Sequence, residues 1–292
     1  MTIKKLPGAP EARVHAGVSS QISPRALDRW NPGICAAAAE DDEARTISVY
    51  DVIGYDYWTG EGVTAKRIAA ALRSMGAGPV TVNVNSPGGD MFEGLAIYNL
   101  LREHKGEVTV KVLGLAASAA SIIAMAGDKV QIARAGFLMI HNAWVVVMGN
   151  RNDLREVADW LEPFDAAMAD IYAARTGEDV KAMAKLMDAE AWIGGTQAVE
   201  DGFADELLPS DQVEQKGGKA SASAVRRLEA ALRASGMPKS EAMRLISEFK
   251  TSVGASAGAV EGDPDGGDGA GDPAEATEAA VLAALQSITI PE

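Results

Sequence analysis

The stretch VTVNVNSPGGDMFEGLAIYNLLREHKGEVTVKVLGLAASAASIIAMAGDKVQIA, residues 80–133, decides the fold class. Three short runs rich in β-branched residues, VTVNVN (80–85), VTVKVLG (108–114) and KVQIA (129–133), alternate with two runs of helical apolar spacing, MFEGLAIYNLLREH (91–104) and SAASIIAMA (118–126). Each strand-helix-strand step is long enough for a right-handed crossover that brings the next strand back in parallel. An α/β layered domain follows. The alternation extends outward on both sides: ISVYDVI (47–53) and FLMIH (137–141) read as strands, and VTAKRIAAALRSM (63–75) reads as a helix. WVVVMG (144–149) has strand character, and its edge is expected to receive an extended peptide. A long amphipathic helix is predicted over 152–175, with an apolar stripe of Leu154, Val157, Leu161, Phe164, Met168 and Ile171, and with Pro163 expected to bend it.

Composition divides the rest. The chain has 292 residues, of which 47% are hydrophobic, with 41 acidic against 27 basic side chains and a formal net charge of -14. Such a balance is poorly suited to a phosphate backbone, so nucleic acid is not expected as a partner. Cys35 is the single cysteine, which excludes an intramolecular disulfide and a cysteine-built zinc site. No apolar run approaches a membrane span, and a cytoplasmic protein without a membrane partner is expected. Residues 1–45 carry scattered Pro and Gly and read as an N-terminal arm rather than a core element. Residues 46–209 form the α/β domain. Residues 210–250 hold two amphipathic helical patterns, SAVRRLEAALRA and SEAMRLISEF, and read as a helical extension. The last segment, 251–292, contains Glu261, Asp263, Asp265, Asp268, Asp272, Glu275, Glu278 and Glu292 and no Lys or Arg. Its EGDPDGGDGAGDP (261–273) cannot bury enough apolar surface to order, so a flexible acidic tether is expected, followed by a short helical segment at 274–290.

Three histidines bound any imidazole chemistry. His15 lies in the arm, and His104 ends a helix, where a solvated cation near the C-terminal dipole suffices. His141 closes the apolar strand GFLMIHNAW, where a polar ring must find partners. Ser118 stands at a predicted helix start, near unpaired backbone N–H groups that favour developing negative charge; an ordinary N-cap serine would read the same way. Ser121, one turn on, should face the core. NSPGGD (85–90) ends a strand with adjacent glycines, Gly88 and Gly89, that expose backbone N–H groups as an oxyanion hole requires, or form a plain turn. In MDAEAWIGGTQAVEDGFADELL (187–208), Asp188 and Glu190 are acids able to orient an imidazole.

In this order, Gly-Gly, Ser, His and acid, the segment 46–209 resembles the proteolytic subunit of the Clp protease, ClpP. The matching phrases are NSPGGD, GLAASAAS, FLMIHNA and AWIGGTQAVEDGFADEL. The phrase WTGEGVTAKRIAAALR (58–73) and the divergent ends look most like the ClpP-related head maturation proteases of tailed phages and prophages. The resemblance implies a ClpP/crotonase-like layered βαβ superhelix with a protruding long helix, and a serine endopeptidase, ATP-independent or ATPase-assisted, without cofactor or metal. It implies Ser118 as nucleophile, His141 as general base, and backbone N–H groups of Gly88, Gly89 and Ala119 as oxyanion donors. The family's third residue is Asp two positions before an aromatic; here Glu190 stands two before Trp192, with Asp188 as the alternative. Scaffold and capsid proteins are the implied substrates, within an assembling procapsid in the host cytoplasm. Self-association into heptameric rings stacked in pairs through the long helix is implied as well.

Three other readings share parts of this pattern. A crotonase-type acyl-CoA enzyme would use the same fold and oxyanion hole, but not a Ser/His pair. A non-catalytic assembly protein on the fold would bind partners only. A Ser-Lys protease resembling signal peptide peptidase would need Lys111 or Lys129, and neither is well placed.

Overall fold

Two periodicities in the sequence become two kinds of layer. The computed structural model describes residues 6–8, 18–20, 22–37, 43–57, 60–215 and 220–257. The first half of the chain runs β1 (Ser19–Ser20), α1 (Pro24–Arg29), β2 (Ile34–Ala36), β3 (Thr46–Val49), α2 (Ala65–Met75), β4 (Val80–Ser86), α3 (Met91–Glu103), β5 (Val108–Ala117), α4 (Ala119–Met125) and β6 (Lys129–Ala133). It continues through β7 (Phe137–Ile140), β8 (Val145–Val146), α5 (Arg151–Thr176), α6 (Val180–Asp188), β9 (Ala191–Gly194), α7 (Gly195–Glu200), β10 (Glu206–Leu208), β11 (Val213–Gln215), α8 (Ala220–Ala234) and α9 (Lys239–Ala257). Met1–Ile246 form one compact unit, and Ser247–Glu292 a second. The acidic tether and its terminal segment, and the His15 region of the arm, lie outside the described residues.

The main sheet has the order β10-β6-β5-β4-β3, with every neighbour parallel, as the crossover lengths predict. β5 is long enough to serve two partners. Its Thr109–Val112 pair with β6, and its last residues, Leu115–Ala117, pair in parallel with β7. β9 closes this end antiparallel to β7. Valines 80, 82, 84, 108, 110 and 112 are buried with Ile68, Leu95, Ile97, Tyr98 and Leu101 of α2 and α3, so the strands are held by helices that cover them. Helix starts are set by caps: Asp90 accepts from the N–H groups of Phe92 and Glu93 at α3, and Asn150 and Asp153 form a capping box at α5. Because β4, β5 and β7 run in the same direction, their carboxyl ends open on one edge, the usual place for a site in such sheets.

Several expectations need correction. The strand predicted over 47–53 stops at Val49, and Ile53 makes only isolated bridges to Val63 and Gly89. The chain turns at Gly54, whose φ of 95° suits a residue without Cβ. Part of the supposed arm belongs to the core: Ala26, Leu27 and Trp30 are buried against Leu115, Ala117 and Met139. The helical extension, which could have packed on the body or on a partner, packs on the body, with α8 on α1 and β11 antiparallel to β2. The buried Arg226 of α8 there meets Asp51 and Asp56, and its guanidinium lies 5.3 Å from the Trp30 ring centroid. Pro163 lies inside α5, and Leu154 of the predicted apolar stripe is exposed. The edge expected to be open at 144–149 is partly used, because β8 pairs antiparallel with the chain's own β1.

Candidate active site

Strand register assembles the site before any side chain is considered. β4 and β5 are parallel neighbours, so the turn after Ser86 lies beside the turn after Ala117. The approach is close: a Cβ on Gly88 would sit 2.5 Å from the Ala117 carbonyl oxygen and 2.7 Å from Ser118 Cβ. β5 and β7 pair Ala117 with Met139, and the Ser118 N–H donates to the Met139 carbonyl at 2.8 Å. His141, two residues beyond Met139, therefore reaches Ser118, and its Nε2 lies 2.7 Å from Ser118 Oγ. β7 and β9 pair Ile140 with Ala191, which sets Glu190 across from His141 and leaves Asp188 further out.

Ser118 holds φ 54° and ψ -124°, a conformation costly for a residue with a Cβ. The bend carries the chain directly from β5 into α4. Behind it, Ser121 donates from both its N–H and its Oγ to the Ser118 carbonyl, at 2.9 and 2.6 Å. Ser121 is fully buried, as expected of a residue facing the core.

Of the proposed oxyanion donors, Gly88 needs correction. Its N–H donates to Ser86 Oγ at 3.2 Å, because the β4 end turns back over its own serine. Its carbonyl accepts from the Ile53 N–H. The N–H groups of Gly89, at φ 149°, and of Ala119, at the first position of α4, have no acceptor among the described residues. Both border the cavity that also exposes Ser118 and His141. Its remaining wall is largely apolar, from Met91, Leu95, Ile122, Trp144, Met168 and Tyr172. Beyond Gly89 lies a more open and polar cleft of about 310 Å³, bordered by Tyr55, Tyr57, Arg226 and Arg233.

Burial pushes the His141 pKa below its usual value, and the charge of Glu190 partly opposes that shift. The shift favours the neutral ring, the form able to accept a proton. Glu190 itself is not seated: its Oε1 is buried with no hydrogen-bond partner, and Arg25 Nη1 lies 3.7 Å from it. Asp188 accepts from Asn142 Nδ2 at 2.8 Å on the surface. Among the described residues neither carboxylate accepts a hydrogen bond from the imidazole. His104 is half-buried with its Nε2 2.8 Å from the Gly78 carbonyl, so a backbone partner holds it away from the site. Lys111 contacts Gln212 and Lys129 contacts Glu206, and neither approaches Ser118 by any described contact. Among the described residues no group of three or more His, Cys, Asp and Glu side chains is arranged to hold a metal ion.

Two contributors escape a sequence reading. Tyr172 lies among the apolar residues of α5 and reads as core, although its hydroxyl is 2.7 Å from Ser121 Oγ. Arg25 lies in the supposed arm, 165 positions away from the carboxylate it meets in a chain whose tertiary packing alone joins them.

Residues 61–211, just over half of the chain, match the model of the Clp protease family, and the match contains Ser118, His141, Asp188 and Glu190. The ATP-dependent Clp protease proteolytic subunit 3 of Streptomyces avermitilis is 28% identical over 152 residues, covering 50% of this chain and 69% of that protein. The proteolytic subunit 2 of Treponema denticola is 32% identical over 133 residues, covering 44% of this chain and 66% of that protein. The chain thus spans about two thirds of the length of these curated relatives. A solved structure of a ClpP1 point mutant from Listeria monocytogenes is similar with a TM-score of 0.47 at 21% identity, covering 57% of this chain and 93% of that one.

Proposed function

The chain belongs to the Clp protease family, and from that premise we propose that it is a serine endopeptidase with Ser118 as nucleophile and His141 as general base. The observation that carries the reading is the 2.7 Å contact between Ser118 Oγ and His141 Nε2 at the carboxyl ends of parallel strands. Ser118 donates its proton to the neutral imidazole as Oγ attacks a peptide carbonyl. The oxyanion that forms is held by the N–H groups of Gly89 and Ala119. His141 then gives the proton to the leaving amine, and water releases the acyl group by the reverse sequence. Glu190, opposite His141, is the third residue: its charge stabilises the imidazolium that exists between these transfers. The apolar wall of the cavity suits a substrate with an apolar side chain next to the scissile bond.

An acyl-CoA enzyme of the crotonase type gains nothing from a serine hydroxyl bonded to a histidine, so that alternative is not favoured. The test is intact mass after incubation with a fluorophosphonate. One adduct on the wild type, absent from Ser118→Ala and His141→Ala, is expected; an unlabelled wild type with the fold intact would leave a binding-only assembly protein as the reading.

The finer assignment is processing of scaffold and capsid proteins in phage head maturation, in the host cytoplasm, by rings of seven subunits stacked in pairs. It is supported by the resemblance of residues 58–73 and of the divergent chain ends to such proteases, and for stacking by the exposed Leu154 on the first turns of α5. Coexpression with the scaffold and major capsid proteins of a tailed phage should give cleavage products that Ser118→Ala abolishes, and native mass spectrometry should give a multiple of seven. Intact capsid proteins beside an active protease would overturn the head-maturation role and leave the peptidase reading untouched.

A further inference from the structure

We propose that Tyr172, acting through Ser121, is a positioning residue that aims the Ala119 N–H at the developing oxyanion. The inference rests on reading Ser118 as the nucleophile. A trans peptide is a rigid plane with its C=O and N–H on opposite sides, so whatever fixes the Ser118 carbonyl also fixes the direction of the Ala119 N–H. That carbonyl accepts two hydrogen bonds, both from Ser121, at 2.9 Å from the N–H and 2.6 Å from Oγ. A hydroxyl has a single proton. With the Ser121 proton given to Ser118, the 2.7 Å contact between Ser121 Oγ and the Tyr172 hydroxyl is donated by Tyr172.

The direction of the relay is therefore Tyr172 to Ser121 to the Ser118 carbonyl. Both donors are buried, Ser121 at 0% exposure and Tyr172 at 1%. Burial also raises the Tyr172 pKa, which keeps the phenol a donor at any pH where the protein works. A serine bonding back to the carbonyl three residues earlier is common in helices and by itself says little. Here a tyrosine 51 positions away, on a different helix, orients that serine. The peptide it steadies follows a residue at φ 54°, a conformation that persists only where its surroundings hold it. Tyr172 also lines the cavity beside Ser118, so the relay runs from the cavity wall to the back of the oxyanion donor.

The test uses the full-length chain as Tyr172→Phe, Ser121→Ala and the double variant, with a fluorogenic peptide carrying an apolar residue before the scissile bond and a peptide boronate that mimics the tetrahedral adduct. Tyr172→Phe should lower kcat about tenfold, less than the roughly hundredfold cost of losing a whole oxyanion donor, with KM within about twofold. Boronate affinity should fall by the same factor, and the acid limb of the pH profile should not move because His141 is untouched. Ser121→Ala should cost at least as much, and adding Tyr172→Phe to it should cost nothing further. Wild-type kcat and boronate affinity in Tyr172→Phe, or strictly additive losses in the double variant, would overturn the relay. If Tyr172→Phe does not fold, Ser121→Ala decides: unchanged boronate affinity there sinks the proposal, and a parallel loss in kcat and boronate affinity supports it. A wild type that takes no fluorophosphonate overturns the hydrolase reading and this inference with it, whereas a labelled wild type with unaltered variants overturns this inference alone.

Discussion

Ser118 and Glu190 are the two non-glycine residues with positive φ among the described part of the chain, at 54° and 50°, and they are braced in opposite ways. At Ser118 the N–H, the carbonyl and the hydroxyl all have partners, contributed by β7, α4 and His141. At Glu190 the N–H reaches the Met187 carbonyl at 3.0 Å, but the carboxylate leaves one buried oxygen without a hydrogen bond. Its cationic neighbour, Arg25, is 74% exposed and 3.7 Å away. A strained backbone that is tied on every side is preorganised for one geometry. A strained backbone whose side chain is untied has a carboxylate that can still change partners. The comparison separates a finished half of the site, the proposed nucleophile and base, from a half whose proposed action is mainly through its charge.

The largest effect should come from the finished half. Ser118→Ala should lower kcat by about 10⁴-fold or more in peptide hydrolysis, and His141→Ala by a similar factor, because removing either member disables the pair as a unit. Next should be Gly88→Ala. Its Cβ would meet the Ala117 carbonyl at 2.5 Å at a φ of 87°, so a loss of roughly 2 kcal/mol or more in denaturant unfolding is expected, with Ser118 displaced from His141. Stability equal to wild type would show that the glycine loop and the nucleophile turn are less tightly joined than the distances say.

Smaller effects probe the untied half. Glu190→Gln should lower kcat roughly ten- to hundredfold, and Asp188→Asn should stay within about threefold, since only Glu190 lies opposite His141. The sign of the pH effect follows from the charge. Burial lowers the His141 pKa and Glu190 raises it, so Glu190→Gln should move the acid limb of the rate profile to lower pH, where the neutral imidazole persists. A larger loss from Asp188→Asn would exchange the roles of the two acids. The smallest change is expected from Arg25→Ala. A pair at 3.7 Å whose arginine is 74% exposed should contribute within about 0.5 kcal/mol, read as a near-constant Tm.

Much of the α/β domain was legible from hydrophobic periodicity. The strands over 80–85, 108–114 and 129–133 and the helices between them lie within a few residues of their predicted bounds, because β-branched alternation and helical spacing are local signals. Ser118 and His141 stood out for different local reasons, Ser118 at a predicted helix start and His141 at the end of an apolar strand, and the roles proposed for them came from the resemblance to ClpP. Trp30 and Leu27 were not. Their segment lacks any period of its own, and it becomes core only because Leu115, Ala117 and Met139 leave an apolar face uncovered. Gly88 misled for another reason, since its N–H is used by Ser86, two residues away, and glycine content says nothing about which donors stay free.

The sequence by itself determined the alternation of strands and helices, the parallel sense of the sheet and the residue types that could react, because crossover length and apolar period are properties of consecutive residues. Only the tertiary structure decided which of those residues meet. Register, at Ala117 beside Met139 and Ile140 beside Ala191, brought His141 to Ser118 and set Glu190 rather than Asp188 across from it. Long-range packing put the Tyr172 hydroxyl behind Ser121 and Arg25 beside Glu190. Such contacts arise from how buried faces are satisfied against one another, and no local pattern in the chain encodes that choice.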